Sequence, residues 1–489
     1  MSANPTVFIA GAGPVGLTLA NELSRHGVPI RIVDKAPRRT DKSKALVLWS
    51  RTLELFDDAG YVGPFLAAGM RGSGAQISTG KEIVARVSLD SIDSRYPFAL
   101  MIPQSETERV LEEQLAARGV TVDREVELTG FAEKGDEVEA TVRKADGRTE
   151  TVTADWLIGC DGAHSAVRHG LGFSFEGSTL QSEWSLADGQ LLGLEPKDRI
   201  HIFWHRDGIL AFFPMGDDRW RVIADLGEAK DGNHFADPTL EEMQTLIAHR
   251  GSSGITLSNP RWLAAFRINE RKVKDYRRGR IFLAGDAAHI HSPAGGQGMN
   301  TGMQDAFNLA WKLKMVIAGA ARPSLLDSYS IERSAVGDMV LRNAGRLTEA
   351  AILRNPIAQG LRNAVVKFAT GFPALQHAIA DQLAETNIAY PSSPLTAKNG
   401  HTANGPKPGM RWPDRLPAGA GGKSFTALGP MEVVTALAQK FPKLVTAVSA
   451  DDPAHAGALR LIRPDGYVAF VGAAGDRAHA EAYLAEVAA

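Results

Sequence analysis

Glycine residues concentrate in two short segments of this chain. One is GAGPVG at residues 11–16, and the other is GDAAHIHSPAGGQGMN at residues 285–300. Glycine lets backbone N–H groups approach a ligand closely, and a helix that begins after such a turn adds about half a positive charge at its N-terminus. Both segments therefore predict a binding site for an anionic or electron-rich ligand.

The first segment has the spacing of a dinucleotide-binding turn. The apolar run TVFIA precedes it, an amphipathic stretch follows, and a second β-prone run, IRIVD, ends in an acid. In such a unit the glycines permit the turn, admit the pyrophosphate and let the helix pack on the strand, while the acid accepts the ribose hydroxyls. The predicted residues of this adenine-dinucleotide site are Gly11, Gly13, Pro14, Val15, Gly16, Asp34 and Lys35.

The second segment lies between a predicted strand, RIFLAGD, and a long helix expected to begin near Asn300. The unpaired N–H groups of Gly298, Met299 and Asn300 should point at a ligand. A flavin fits this position because its reduced ring is an anion, which a helix N-terminus stabilises. Asp286 is expected to accept hydrogen bonds from the ribityl chain. One FAD molecule held at both ends explains both glycine-rich segments.

Composition limits the class of protein. A length of 489 residues exceeds what one hydrophobic core usually supports. Lys plus Arg (54) nearly equals Asp plus Glu (56), so no nucleic-acid-binding charge is indicated. The start of the sequence lacks a secretion signal and no long apolar run occurs, which favours a cytoplasmic protein. The single cysteine, Cys160, excludes a disulfide framework, and His289 and His291 lack a third ligand at metal-site spacing, so no metal site is predicted.

The order of patterns along the chain predicts an α/β fold with an insertion. Aromatic and β-branched residues with turn signals from 173 to 260 indicate an antiparallel substrate-binding sheet, which separates two parts, 1–172 and 261–396, of a Rossmann-like FAD-binding domain with a helical extension. A glycine- and proline-rich linker then leads into a small α/β domain, the two together spanning 397–489. PAGAGGKS at 417–424 resembles a phosphate-binding loop but lacks its first glycine, so a linker is the preferred interpretation.

Three motifs together resemble those of a known family. GAGPVG, DGAHSAVR (161–168) and GDAAHIHSPAGGQGMNTGMQDAFNLAWKL are similar to the signature motifs of single-component FAD-dependent aromatic hydroxylases, the group A flavoprotein monooxygenases. RLIRPDGYVAFVG (460–472) resembles the closing motif of the phenol hydroxylase and aromatic polyketide hydroxylase branch, whose C-terminal domain is thioredoxin-like. The resemblance implies FAD, with NAD(P)H and O2 as co-substrates. It also implies hydroxylation of a phenolic or polycyclic aromatic substrate through a flavin C4a-hydroperoxide.

The resemblance assigns further residues to the cofactor. It implies that Lys44 and Arg51 lie near the pyrophosphate and flavin, and that Gln104 and Arg109 contact the ribityl chain and the pyrophosphate. It also implies that Asp161 and Arg168 of the DG element serve both FAD and NAD(P)H, and that Pro293 to Gly296 lie over the flavin ring; Gly285 completes the predicted cofactor-binding residues. Lys44 stands where relatives more commonly carry arginine, so a point charge replaces a bidentate contact. The C-terminal domain has no cysteine for dithiol chemistry, which leaves stabilisation or homodimer formation as its expected role.

The substrate side is less constrained by the motifs. Simple phenol hydroxylases carry a carboxylate where this chain has Leu46, so we expect no carboxylate base there and a more acidic or more apolar substrate. Aromatic residues at alternating strand positions are also typical of a hydrophobic core. The substrate-side candidates are Leu46, Trp49, Phe213, Pro214, Trp220 and Pro293.

Two other functions are compatible with the cofactor motifs. A flavin-dependent halogenase shares the first motif, although the WxWxIP element of such enzymes is missing from RWRVIAD around Trp220. A noncatalytic protein that binds flavin and an aromatic ligand would show no ligand-stimulated NAD(P)H oxidation. That measurement distinguishes it from a hydroxylase.

Overall fold

The computed structural model describes residues 5–80, 82–228, 235–398, 405–415, 423–449 and 457–489. Residues 399–404 and 416–422 of the predicted linker, which include the PAGAGGKS segment up to residue 422, lie outside these residues. Within the described ranges, no helix combines the length and the apolarity that crossing a membrane requires.

The described residues form the following strands: β1 Val7–Ala10, β2 Ile30–Asp34, β3 Val47–Leu48, β4 Met70–Gly72, β5 Gly74–Thr79, β6 Glu82–Ser88, β7 Ala99–Met101, β8 Asp123–Arg124, β9 Val126–Lys134, β10 Glu137–Lys144, β11 Thr149–Ala154, β12 Trp156–Gly159, β13 Glu176–Leu192, β14 Arg199–His205, β15 Gly208–Pro214, β16 Arg219–Glu228, β17 Thr256–Lys272, β18 Arg277–Arg278, β19 Ile281–Leu283, β20 His289–Ile290, β21 Phe425–Gly429, β22 Val445–Ser449, β23 Ala458–Ile462 and β24 Val468–Ala473.

The α-helices of the described residues are α1 Pro14–Arg25, α2 Ser50–Asp58, α3 Gly63–Ala68, α4 Gln104–Ala116, α5 Ala166–Gly170, α6 Leu240–Arg250, α7 Gly298–Ile317, α8 Asp327–Ala351, α9 Pro356–Ala369, α10 Pro373–Leu383, α11 Met431–Lys440 and α12 Arg477–Val487. Short 3-10 turns occupy Gly285–Ala287 and Pro323–Leu326.

A largely parallel sheet forms the centre of the molecule. Its strand order is β18-β19-β12-β1-β2-β8, and every pair except β18–β19 is parallel. β1, β12 and β19 are buried along their whole length, as their continuous apolar sequences predict. Because the strands run in one direction, Ala10, Gly159 and Leu283 end at the same edge of the sheet. The loops that follow them, all glycine-containing, therefore meet there.

An eight-stranded sheet forms the second layer, with the order β20-β17-β13-β16-β15-β14-β5-β6. It is larger than the segment 173–260 predicted from the sequence. β17 continues to Lys272, and β5 and β6 come from residues 74–88, with β5 pairing in parallel with β14. Pairing between strands more than a hundred residues apart leaves no local pattern, which is why the sequence underestimates the extent of this sheet.

The C-terminal residues form a separate four-stranded sheet of order β22-β21-β23-β24 with α11 between its two parallel strands. This arrangement is thioredoxin-like, and the predicted α/β fold class is confirmed. The domain contacts the part of the chain that carries the parallel sheet through a buried ion pair: Arg463 bonds both carboxylate oxygens of Glu332 at 2.6 and 2.9 Å. Arg51 donates to the backbone carbonyl of Asp465 at 2.6 Å.

Helix α7 is tied to the segment after α10 by a buried carboxyl group. Glu385 accepts hydrogen bonds from the Thr301 hydroxyl and the Gln304 amide, each at 2.6 Å. Burial raises the pKa of Glu385 from its ordinary value of 4.5 to about 7. Because this pKa is higher in the folded than in the unfolded state, the contribution of Glu385 to stability is lost as the pH rises from 4.5 to about 7.

We expect Glu385→Gln to increase the free energy of unfolding relative to the wild type at pH 8, by roughly 3 kcal/mol, and much less at pH 5. Glutamine keeps an acceptor for Thr301 but has no proton to lose. Urea unfolding at the two pH values measures the effect, with the exposed Glu241→Gln as a control for loss of one carboxylate. Parallel pH profiles for wild type and Glu385→Gln would contradict the expectation.

Candidate functional site

A cavity of about 560 Å³ opens where the glycine-rich loops meet, between the parallel sheet and the inner face of the eight-stranded sheet. Its walls come from eight separated parts of the chain, between Gly13 and Met299. The sequence-predicted residues that line it are Gly13, Pro14, Val15, Lys35, Lys44, Leu46, Gln104, Asp161, Phe213, Asp286, Pro293, Gly296, Gly298 and Met299.

The first glycine turn places bare backbone at this cavity. A Cβ at Gly13 would have no protein atom within 4 Å, whereas one at Gly16 would lie 2.0 Å from the carbonyl oxygen of Gly11. Gly13 also precedes the first residue of α1, whose initial N–H groups lack partners within the helix. Asp34 holds the turn in place, because its carboxylate accepts the N–H groups of Ala12 and Ala36 at 2.7 and 2.8 Å.

Two carboxyl groups face the cavity with acceptor capacity to spare. Asp161 uses one oxygen to cap α5 through the N–H groups of Ala166 and Val167, and its other oxygen is buried without a partner. Asp286 is open to the cavity yet lies deep in the molecule, so desolvation raises its pKa while the nearby Lys44 opposes that rise. Both groups suit a ligand that donates hydroxyl hydrogen bonds.

The N-terminus of α7 forms the far wall. The helix begins at Gly298, close to the predicted start at Asn300. The Asn300 side chain accepts the N–H of Trp49 at 2.8 Å and donates to the carbonyls of Val47 and Gly296 at 2.8 and 3.1 Å. Asn300 therefore fixes the loop before α7 against the segment that carries Leu46, although it does not line the cavity itself.

The loop that follows β19 is fixed by a buried network. Asp305 accepts the N–H of Gly285 at 3.0 Å and bonds the His289 ring at 2.8 Å. Its other oxygen accepts from Arg333 at 2.6 Å, which keeps the pKa of Asp305 below its ordinary value despite burial. The role of His289 is therefore structural. Gly285, with a φ of +59°, belongs to this turn and not to the cavity wall.

Three arginines predicted to contact the cofactor do not reach the cavity, because each guanidinium is bonded elsewhere. Arg51 pairs with Glu54 and the C-terminal domain. Arg109 pairs with two glutamates of its own helix, α4. Arg168 donates to the carbonyls of residues 163 and 287. The sequence predicted that these arginines lie near the cofactor, but it does not show which carboxylates and carbonyls their guanidinium groups bond.

The substrate-side candidates on the eight-stranded sheet divide between its two faces. Phe213 faces the cavity, while Pro214 and Trp220 are directly paired across β15 and β16, and Trp220 packs beneath α6. Alternation along a strand requires this, since neighbouring residues point to opposite faces. Trp49 also lies off the cavity, where its indole N–H donates to the carbonyl of Gly295 at 2.9 Å. Pro214, Trp220 and Trp49 thus do not line the cavity, and their contacts are with the surrounding protein.

The sequence interpretation missed Arg221, which lines the cavity from β16. Its guanidinium pairs with both oxygens of Asp188 at 2.8 Å and donates to the backbone carbonyls of Ser43 and Lys44. It therefore joins the substrate sheet to the segment bearing Leu46. Arg221 is paired with Phe213 across β15 and β16 and so lies on the same face of the sheet. The sequence shows neither this pairing nor the one between Arg221 and Asp188, because both depend on the register of the strands.

The residues of the cavity fit FAD. A bare glycine at a helix start suits a pyrophosphate, two carboxyl groups with unused oxygens suit ribose and ribityl hydroxyls, and a second helix N-terminus suits an electron-rich ring. These features are contributed by Gly13, Asp161, Asp286 and Gly298.

Comparison with known proteins gives consistent matches. A family model described as FAD binding domain matches residues 4–344. The 6-methylpretetramide 4-monooxygenase of Streptomyces rimosus is 39% identical over 416 residues, covering 83% of this chain and 73% of that protein. A flavin-dependent monooxygenase of Mycobacteroides abscessus is 35% identical over 490 residues, covering 95% and 96%. The solved structure of an anhydrotetracycline hydroxylase from Streptomyces rimosus superposes with a TM-score of 0.81 at 30% identity, over 99% of both chains.

Gly13→Ala and Gly16→Ala should separate cofactor binding from folding. Gly13→Ala meets no protein atom, so we expect the melting temperature of the apoprotein to stay the same while the FAD dissociation constant rises at least about tenfold, because a methyl group enters the ligand's space. Gly16→Ala places a methyl 2.0 Å from the Gly11 oxygen, which should lower the melting temperature itself. Calorimetry and flavin fluorescence measure the two effects. Wild-type FAD affinity in Gly13→Ala would refute the assigned position of the cofactor.

Proposed function

The chain belongs to the FAD-binding-domain family of flavoprotein aromatic monooxygenases, and from this premise we propose that its substrate is a fused-ring phenol held by apolar contact and not by an ion pair. The predicted family, cofactor and enzyme class are confirmed by the same matches. FAD, when bound, supplies the activation of O2 with electrons from NAD(P)H and the transfer of one oxygen atom to an aromatic ring.

The substrate wall of the cavity is apolar. Leu46, Val47, Phe213, Ile223 and Pro293 line it, and Leu46 and Phe213 belong to an apolar cluster that continues towards α10. Burial of apolar area contributes about 25 cal/mol per Å², so a wall of this kind favours a ligand with a large ring surface. Leu46 leaves no carboxylate at the position where simple phenol hydroxylases carry one, which also favours an apolar or more acidic phenol.

The charges of the cavity support the same conclusion. Among the described residues that line it, the cations are Lys35, Lys44 and Arg221. Arg221 is already bonded to Asp188 and to two backbone carbonyls, and Lys44 lies in the field of Asp286. A carboxylated single-ring substrate would find no uncommitted arginine on this wall. Two relatives, a pretetramide monooxygenase and an anhydrotetracycline hydroxylase, are named for multi-ring substrates.

In this proposal the N-terminus of α1, with Gly13, would bind the pyrophosphate, and Asp286 would accept hydrogen bonds from the ribityl chain. Gly298 and Met299, at the start of α7, would hold the flavin ring. Pro293 and Phe213 enclose the substrate beside it, and their apolar surface excludes the water that would divert the reaction to hydrogen peroxide.

In this proposal the C-terminal domain stabilises the position of α7. It carries Arg463, which bonds Glu332 of α8, and Asp465, which accepts from Asn308 of α7 at 3.3 Å. These buried contacts hold the helix whose N-terminus lines the cavity and would bind the flavin. They support the stabilising role for this domain, while homodimer formation stays a prediction.

NAD(P)H oxidation by the FAD-loaded protein, measured with phenols of one to four rings, tests the proposal. We expect three- and four-ring phenols to stimulate oxidation and to yield oxygenated product with little hydrogen peroxide, because they fill the apolar wall. Equal stimulation by single-ring phenols would overturn the substrate assignment. Ligand binding without stimulation by any phenol would favour a noncatalytic binding protein.

Phe213→Ala and Phe212→Ala form a matched pair on β15. Phe213 lines the cavity, so its truncation should raise KM for the preferred phenol by about tenfold with little change in melting temperature. Phe212 is fully buried on the opposite face beside Phe203, so its truncation should destabilise the fold by about 3–5 kcal/mol and leave KM unchanged. A similar KM for both variants would place the substrate elsewhere.

A further inference from the structure

Two histidines and an aspartate come together at the outer end of the eight-stranded sheet. His205 is the last residue of β14, Asp207 lies in the turn into β15, and His249 lies in the last turn of α6. Asp207 Oδ2 lies 2.9 Å from His249 Nε2 and 3.4 Å from His205 Nδ1. One ligand atom from each side chain can be chosen so that all three lie within 4.8 Å of one another.

These separations approach the dimensions of a zinc site. Zinc binds imidazole nitrogen at about 2.0–2.1 Å and carboxylate oxygen at about 2.0–2.2 Å, which places tetrahedral ligand atoms about 3.3–3.5 Å apart. The two separations from Asp207 lie near that range, and the ligand atoms of the two imidazoles lie within 4.8 Å of each other. Two imidazoles and a carboxylate are a ligand set that zinc accepts, and water would complete the tetrahedron.

The backbone around the three residues is well supported. His205 and Gly208 are paired across the hairpin, so only two residues form the turn that carries Asp207. Helix α6 starts with a capping box at Thr239 and packs on the sheet through Met243 and Ile247, both fully buried. The fold itself therefore brings the three side chains together, without help from the contacts they make with one another.

The site is accessible and its neighbouring charges permit a cation. The side chains of Asp207 and His249 are about half exposed, at 46% and 52%. Arg206 approaches Asp207 at 3.7 Å, but its side chain is 78% exposed and can turn into solvent. The other nearby cation, Arg250, donates to the backbone carbonyls of Ile209 and Asp225. For a cation to bind, Arg206 has to turn away and His205 Nδ1 has to give up the backbone N–H of Asp207, which it accepts at 3.3 Å.

We propose that His205, Asp207 and His249 bind one Zn²⁺ ion, which cross-links α6 to the β14–β15 hairpin. None of the three residues lines the cofactor cavity, so the ion lies outside the hydroxylation site. Its effect is on the sheet: β15 carries Phe213 into the cavity, and α6 covers the opposite face of the same strand. The site is separate from the proposed function and stands or fails independently of it.

Zinc titration of tag-free, metal-stripped full-length protein tests the proposal, with a chromogenic chelator in competition. We expect one equivalent of Zn²⁺ at micromolar affinity in the wild type and at least about tenfold weaker binding in His249→Ala. His377→Ala is the matched control, because His377 is similarly exposed and pairs with Asp381 but has no third ligand in the described structure. Its zinc affinity should equal that of the wild type.

Two further measurements keep the result independent of a folding defect. Zinc should raise the melting temperature of the wild type and of His377→Ala but not that of His249→Ala or Asp207→Asn, because binding to the folded state alone stabilises it. Cobalt bound at the same site should show the strong visible absorption of four-coordinate Co²⁺. Equal zinc affinity in wild type and His249→Ala, or zinc binding without a rise in melting temperature, would overturn the proposal.

Discussion

The close approach of separate backbone segments at one edge of the parallel sheet is the constraint on which the structure depends. A Cβ at Gly11 would lie 2.4 Å from the carbonyl oxygen of Cys160, and one at Gly302 would lie 2.7 Å from the Val15 side chain. Gly11 also has a φ of +100°, which favours glycine. Because these contacts admit no side chain, α1 and α7 can both begin at the same edge. The cavity is the space left between their N-termini.

Buried ion pairs along α7 stabilise this arrangement. Asp305 bonds Arg333 and His289, and further along α7 Lys312 bonds Glu332 at 2.7 Å. Desolvation lowers the pKa of Lys312 to about 8, whereas the neighbouring cations keep the pKa of Glu332 well below its ordinary value. Removing one partner from such a network leaves an uncompensated charge, so the contacts favour one packing over its alternatives. The same network reaches the C-terminal domain through Arg463.

The two sheets contribute different kinds of groups to the cavity. The parallel sheet supplies helix N-termini and carboxyl groups that suit a charged, hydroxyl-rich cofactor, while the eight-stranded sheet supplies an apolar wall that suits an aromatic ring. Arg221 joins them, since it lies on the second sheet but bonds the backbone that precedes Leu46. The bonds of Arg221 to the Ser43 and Lys44 carbonyls therefore join the two layers, while its ion pair with Asp188 holds the guanidinium within the second sheet.

The sequence by itself determined the parts that depend on local backbone chemistry: the glycine turn with its flanking strands, the start of α7 near Asn300, and Asp286 at the cavity. Tertiary structure alone decided the partners of long side chains and the face that each strand residue presents. Arg51 was predicted at the cofactor but bonds the C-terminal domain, because the nearest acceptor comes from a residue more than four hundred positions away. Trp220 was placed beneath α6 by the register between strands, which local sequence does not encode.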